Sequence, residues 1–141
     1  MLIDDDDDDW LLFSEAVKKI DGEWLCLFFQ DAIAAILFLS GSLKEELPNY
    51  IFLDLNMPKM NGKECLMEIK SRKELADISV NILSTSVLEN DIRQAKMLGA
   101  DYYIIKPNKL RLLEDALRFI LNGGKSALPD ELKKWIKVLA P

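Results

Sequence analysis

Apolar residues in this chain arrive in two rhythms: short unbroken runs, and longer stretches in which they recur every three or four positions. The short runs are 24–29, 50–54, 80–84 and 102–107, rich in aromatic and branched residues, and each reads as a strand buried on both faces. The longer stretches read as helices. The first follows Met1, Leu2, Ile3 and the aspartates 4–9: Trp10, Phe13, Ala16, Val17 and Ile20 share a face, with Glu15, Lys18 and Lys19 between them. Its acidic first turn suits the positive end of the helix dipole. Further helices are predicted over 32–39, 63–72 and 91–98, the last closed by Gly99. Asn108 is the expected N-cap of a helix whose stripe is Leu113, Ala116, Leu117 and Ile120 and which ends at Asn122 and Gly123. Leu128, Leu132, Trp135, Ile136 and Leu139 recur at helical spacing behind Pro129, which predicts a sixth helix, packed on the domain or docking a partner.

Strands alternating with helices, each strand apolar throughout, predict a doubly wound α/β fold: a parallel sheet of five βα units covered on both faces. Residues 1–124 form that domain and 125–141 a C-terminal helical extension. In such sheets polar chemistry gathers where the strands run out at their carboxyl ends. Here those ends carry Asp4 and Asp5, Asp54, Ser84 and Lys106.

Composition removes several alternatives. A formal charge of −6 gives no electrostatic reason to bind nucleic acid. With no histidine in 141 residues, imidazole metal sites and histidine-based triads are excluded. Cys26 and Cys65 sit in apolar stretches without CxxC spacing and read as reduced core thiols. The apolar stretch 24–39 is broken by Gln30 and Asp31 and is shorter than the ~20 residues a membrane span needs, so no membrane association and a cytoplasmic location are expected.

Oxygen chemistry remains. Carboxylates brought to one sheet edge repel one another unless a cation sits among them, and hard oxygen donors without histidine or thiolate favour Mg²⁺. Asp5 and Asp54 are the expected ligands, with the backbone carbonyl of Asn56, while Asp4 orients a metal-bound water from behind. Asp4 and Asp5 are chosen from the aspartate run because they follow Leu2 and Ile3 directly. With its charge offset, Asp54 can attack a phosphorus atom in line and form an aspartyl phosphate. Lys106 supplies positive charge to the phosphoryl oxygens, and Ser84 donates a hydrogen bond, or Thr85 or Ser86 does so if the strand end shifts. Movement of Ser84 toward the phosphoryl group opens space into which Tyr103 swings as a switch, unless Tyr103 is simply packed, since Tyr102 beside it faces the other way and either ring can be core. Asn56 and Ser86 flank the path of water and tune hydrolysis. A calcium loop through Asp4, Asp6, Asp8 and Glu15 fails because Asp9 stands where the turn needs glycine.

The acidic cluster, the loop Leu53-Asp54-Leu55-Asn56-Met57-Pro58 leading to Met60-Asn61-Gly62, the hydroxyl run Ser84-Thr85-Ser86 and the segment Tyr103-Ile104-Ile105-Lys106-Pro107 together resemble the response-regulator receiver family, with its CheY-like fold. The resemblance covers roughly residues 2–123. It implies a flavodoxin-like three-layer α/β/α fold, strand order 2-1-3-4-5, five helices and a cis peptide before Pro107. It implies a stand-alone two-component phosphorelay receiver: a signalling phosphoacceptor, catalysing only its own phosphorylation and dephosphorylation. The donor would be a sensor histidine kinase or hybrid kinase. The output would be the face of the fourth helix, fifth strand and fifth helix, offered to a downstream protein or to a second copy as a homodimer. Two other readings compete. A pseudo-receiver would bind partners without phosphorylation, and a haloacid dehalogenase-type phosphatase would need a second acid where Asn56 stands.

Overall fold

In a computed structural model describing residues 1–141, the chain forms the strands β1 (Leu2–Ile3), β2 (Phe28–Phe29), β3 (Tyr50–Leu53), β4 (Ser79–Ser84), β5 (Tyr102–Ile105) and β6 (Ile136–Val138). Between them lie α1 (Asp7–Lys18), α2 (Ala32–Gly41), α3 (Gly62–Lys70), α4 (Glu89–Met97) and α5 (Leu110–Leu121). The sheet order is β2-β1-β3-β4-β5-β6, parallel through β5, so the expected 2-1-3-4-5 arrangement holds and is extended by one antiparallel strand.

Neighbouring residues on each strand feed opposite cores, as a pleated sheet covered on both sides requires. Ile3, Ile51, Leu53, Ile82 and Tyr103 join Ala35 and Leu39 of α2 and Leu66 and Ile69 of α3 on one face. Leu2, Phe52, Leu83 and Ile104 join Phe13 and Ala16 of α1 and Leu117 and Ile120 of α5 on the other. The helix starts are locally encoded. Asp6 accepts from the Asp8 amide at 2.9 Å, Asp31 from Ala34 at 2.7 Å, and Asn61 and Glu64 form a reciprocal capping box.

Four expectations change. The tail does not form a sixth helix: after a 3₁₀ turn at Asp130–Leu132 it runs antiparallel to β5, with Ile136 opposite Ile104 and Val138 opposite Tyr102. The outer edge of β5 would otherwise present unpaired backbone groups, and pairing there outweighs the weak intrinsic stability of a short helix. The Ile105 amide donates to the Trp135 carbonyl at 2.8 Å, and the Leu139 amide to the Asp101 carbonyl at 2.9 Å. Second, only Phe28 and Phe29 of the 24–29 run pair as strand, because β1 offers just Leu2 and Ile3 for the ladder; Leu25 is left 86% exposed. Third, the N-cap of α5 is Lys109, which makes no side-chain cap bond, rather than Asn108. Fourth, the peptide before Pro107 is trans. No helix is long and apolar enough to cross a membrane.

Candidate functional site

Three chemical groups are set by one device, the parallel ladder carried a single residue past the end of a strand. The Asp4 amide donates to the Phe29 carbonyl at 3.0 Å, Asp54 to Ile3 at 3.0 Å and Lys106 to Ser84 at 2.8 Å. Asp4, Asp54 and Lys106 therefore emerge side by side at the carboxyl edge of the sheet. Gly62 brings the fourth wall close: a Cβ there would sit 2.2 Å from the Asp54 carbonyl oxygen, so only glycine lets the start of α3 lie against the Asp54–Leu55 backbone.

Carboxylate oxygens of Asp4, Asp5 and Asp54 all lie within 4.8 Å of one another. Asp5 is exposed, Asp54 is 6% exposed and Asp4 is fully buried. Asp4 accepts from the Asp6 amide at 3.0 Å and from Lys106 Nζ at 2.9 Å, and its own carbonyl accepts from the Trp10 indole at 2.8 Å, which fastens α1 over the site. Lys106 Nζ also reaches Asp9 Oδ2 at 2.5 Å and Asp54 Oδ1 at 3.7 Å. These groups line a cleft of about 700 Å³ with no hydrophobic residue, walled by aspartates 4–9, Asp54, Asn56, Thr85 and Lys106.

Burial shapes the protonation of the cluster. It pushes Asp4 up to about 6 against the pull of the Asp6 amide and Lys106. Burial likewise raises Asp54, with Lys106 opposing. Burial disfavours the Lys106 ammonium, but hydrogen bonds to Asp9 and Asp4 outweigh it and hold the lysine charged. One ammonium facing three carboxylates leaves excess negative charge, and the exposed Asp5 beside Asp54 gives a divalent cation oxygen donors and an open side for water. The residues present fit such an ion.

The hydroxyls are arranged less simply. Ser84 is fully buried and its Oγ accepts from the Ser86 amide at 3.2 Å, while Thr85 is the hydroxyl that lines the cleft. Ser86, expected beside the water path, instead donates to Asp91 Oδ2 at 2.5 Å. Asn56 does line the cleft. Tyr103 is buried in the core beneath α3 and α4, its hydroxyl donating to the Ser86 carbonyl at 3.1 Å; Tyr102 points to the opposite core and packs edge-on against Phe119. Asp9 is the participant that pattern reading missed. Its only signal is position, one turn beyond Asp5 where α1 passes the sheet edge, and five identical neighbours conceal it.

Residues 1–118 match the family model of the response regulator receiver domain. The chain belongs to the response regulator receiver family. Among curated proteins, this receiver is 34% identical over 114 residues to the response regulator Rcp1 of Synechocystis sp., covering 79% of this chain and 78% of the relative. It is 29% identical over 135 residues to the probable methanogenesis regulatory protein FilR2 of Methanothrix harundinacea, covering 92% and 87%. Among solved structures, the phosphorylated cyanobacterial phytochrome response regulator RcpA superposes with a TM-score of 0.79 at 32% identity, covering 92% of this receiver and 96% of that chain. The Mn²⁺-bound form of Rcp1 gives 0.76 at 32%, covering 91% and 96%. The flavodoxin-like, CheY-like architecture is thus shared across a family whose members include a phosphorylated form and a metal-bound form.

Proposed function

We propose that this receiver accepts a phosphoryl group on Asp54 from a histidine kinase or hybrid kinase in a Mg²⁺-dependent reaction in the cytoplasm. The supporting observation is a nearly buried strand-end carboxylate that shares its cleft with two further carboxylates and a charged lysine. Asp5, Asp54 and the Asn56 carbonyl are the ligands assigned to Mg²⁺, with Asp4 orienting a bound water. When bound, the ion offsets the carboxylate charge that would repel a phosphoryl donor.

The chain's own residues do the rest. An Asp54 oxygen forms the new bond to phosphorus as the phosphorus–nitrogen bond to the kinase imidazole breaks, and the imidazole keeps the electron pair and takes up a proton. Lys106, held charged by Asp4 and Asp9, turns to the incoming phosphoryl oxygens. Ser84 donates to another of those oxygens once the Thr85 backbone moves aside, and Tyr103 follows the loop through its bond to Ser86. Asn56 on the cleft wall and Ser86 on the loop set how readily water reaches the product. The surface that changes is α4–β5–α5, now with β6 along its strand edge, and it serves a downstream protein or a second copy.

Incubation with acetyl phosphate or phosphoramidate and Mg²⁺ is expected to yield one acid-labile phosphoryl group per chain, seen as an 80 Da gain by intact mass spectrometry, roughly the mass of PO₃H. Asp54→Asn is expected to abolish it. Undiminished incorporation by that variant, or none by the parent protein, overturns the assignment; the latter outcome favours a phosphorylation-independent binding module.

A further inference from the structure

Ser86 has no polar group to spare. Its amide donates to Ser84 Oγ at 3.2 Å, and its carbonyl accepts from the Tyr103 hydroxyl at 3.1 Å. Its own hydroxyl donates to Asp91 Oδ2 at 2.5 Å while accepting from the Leu88 amide at 3.3 Å. Asp91, in the first turn of α4, is gripped from the far side by Lys63 of α3, Nζ to Oδ1 at 2.7 Å. The two carboxylate oxygens of Asp91 thus join one helix to a loop and a neighbouring helix. The Lys63–Asp91 pair is mostly shielded from solvent, with side chains 30% and 18% exposed, so water screens it less than an ordinary surface pair.

This chain of bonds ends at the catalytic cleft. Ser84 is fully buried and does not line the cleft, whereas Thr85, between Ser84 and the tethered Ser86, does. For Ser84 to meet a phosphoryl oxygen, the backbone at 85–86 has to shift, and that shift pulls on Ser86, Asp91 and Lys63 in turn. We infer that Lys63 and Asp91 are positioning residues whose ion pair, acting through the Ser86 hydroxyl, latches the β4–α4 loop in its resting place and thereby weakens phosphoryl binding at Asp54. The inference rests on the phosphoacceptor reading above. It adds two residues that touch neither metal nor phosphoryl group, and it gives a direction: removing the latch strengthens binding.

Charge alone predicts a different pattern, which makes the two accounts separable. Losing Lys63 makes the surroundings more negative and disfavours an anionic ligand, whereas losing Asp91 favours one. The latch predicts tightening from both. Affinity for beryllofluoride in the presence of Mg²⁺, which mimics the phosphoryl group without being hydrolysed, is measured by calorimetry and by the indole N–H resonance of Trp10, whose donor bond goes to Asp4. Lys63→Met, Asp91→Asn and Ser86→Ala are each expected to bind roughly threefold to tenfold more tightly than the parent protein, the size expected for a residue that biases a two-state element from a distance. Lys63→Arg retains the pair and is expected to match the parent. Ser86→Ala changes no charge, so its tightening cannot come from the field around the cleft. Weaker or unchanged binding by Lys63→Met overturns the latch, as does an unchanged Ser86→Ala. Failure of the parent protein itself to bind beryllofluoride with Mg²⁺ strikes instead at the phosphoacceptor reading, and the latch falls with it.

Discussion

Lys106 has one charge and three acidic neighbours, at 2.5 Å, 2.9 Å and 3.7 Å, and the most distant is Asp54. The lysine is therefore held back from the carboxylate it is to serve, chiefly by Asp9. Replacing Asp9 with asparagine removes a competitor for the ammonium and lowers the negative potential that an anionic phosphodonor meets on entry, so both effects act in the same direction. Phosphorylation of Asp9→Asn by acetyl phosphate is expected to be roughly threefold or more faster, with a weaker dependence on ionic strength. A slower rate in that variant would mean that Asp9 steers Lys106 toward productive geometry. Most of the site was readable from residue type and place: Asp4, Asp5, Asp54 and Lys106 stand at strand ends, and strand ends follow from the hydrophobic pattern. Asp9 and the burial of Ser84 were not readable, because each depends on how a helix or loop lies across the sheet edge, a matter of packing rather than period.

At the level of elements, the amphipathic helices and buried strands were legible because helical apolar positions recur every 3.6 residues on one face, while strands covered on both faces are apolar without a break. The tail was not. Leu132, Ile136 and Leu139 are all buried, and their spacing suits one face of a helix; the edge of β5 imposed another outcome by offering hydrogen-bond partners that sequence spacing does not encode. The same reasoning explains β2, where an apolar run outlasts the two residues with which it can pair. Ile136 is 1% exposed in the core shared with α5. Ile136→Ala is expected to lower unfolding stability by about 2–4 kcal/mol in urea titration, and to increase hydrogen exchange at the Ile105 amide, which bonds to the Trp135 carbonyl. A loss below about 1 kcal/mol, the size of a near-neutral core change, would show that β6 is a loosely held appendage.

Across the whole molecule, burial bears on charge at both edges of the sheet: it lowers the Met1 ammonium to about 6 at the amino edge and gathers carboxylates at the other. The carboxylates at the carboxyl edge are raised by burial and mutual proximity, although no buried polar side-chain atom anywhere in the structure lacks a hydrogen-bond partner. A divalent cation relieves their repulsion only in the folded state, which alone assembles donors from β1 and β3. Mg²⁺ at about a hundred times its dissociation constant is expected to stabilise the protein by about 2.7 kcal/mol, read as a rise in melting temperature that chelation reverses. Asp5→Asn and Asp54→Asn are expected to blunt the rise, while conserving the fold by circular dichroism. An equal shift in these variants would place the ion elsewhere.

The antiparallel strand β6 replaces β5 as the outer edge of the sheet. With β5 paired on both sides, the outer edges of the sheet are β2, with two residues, and β6, with three, and each offers too short a ladder for a foreign backbone to grip. A second copy or a partner that meets this receiver would therefore do so through side chains, and a contact of that kind can be made or broken by a small turn of α4, whereas a shared ladder of backbone bonds cannot.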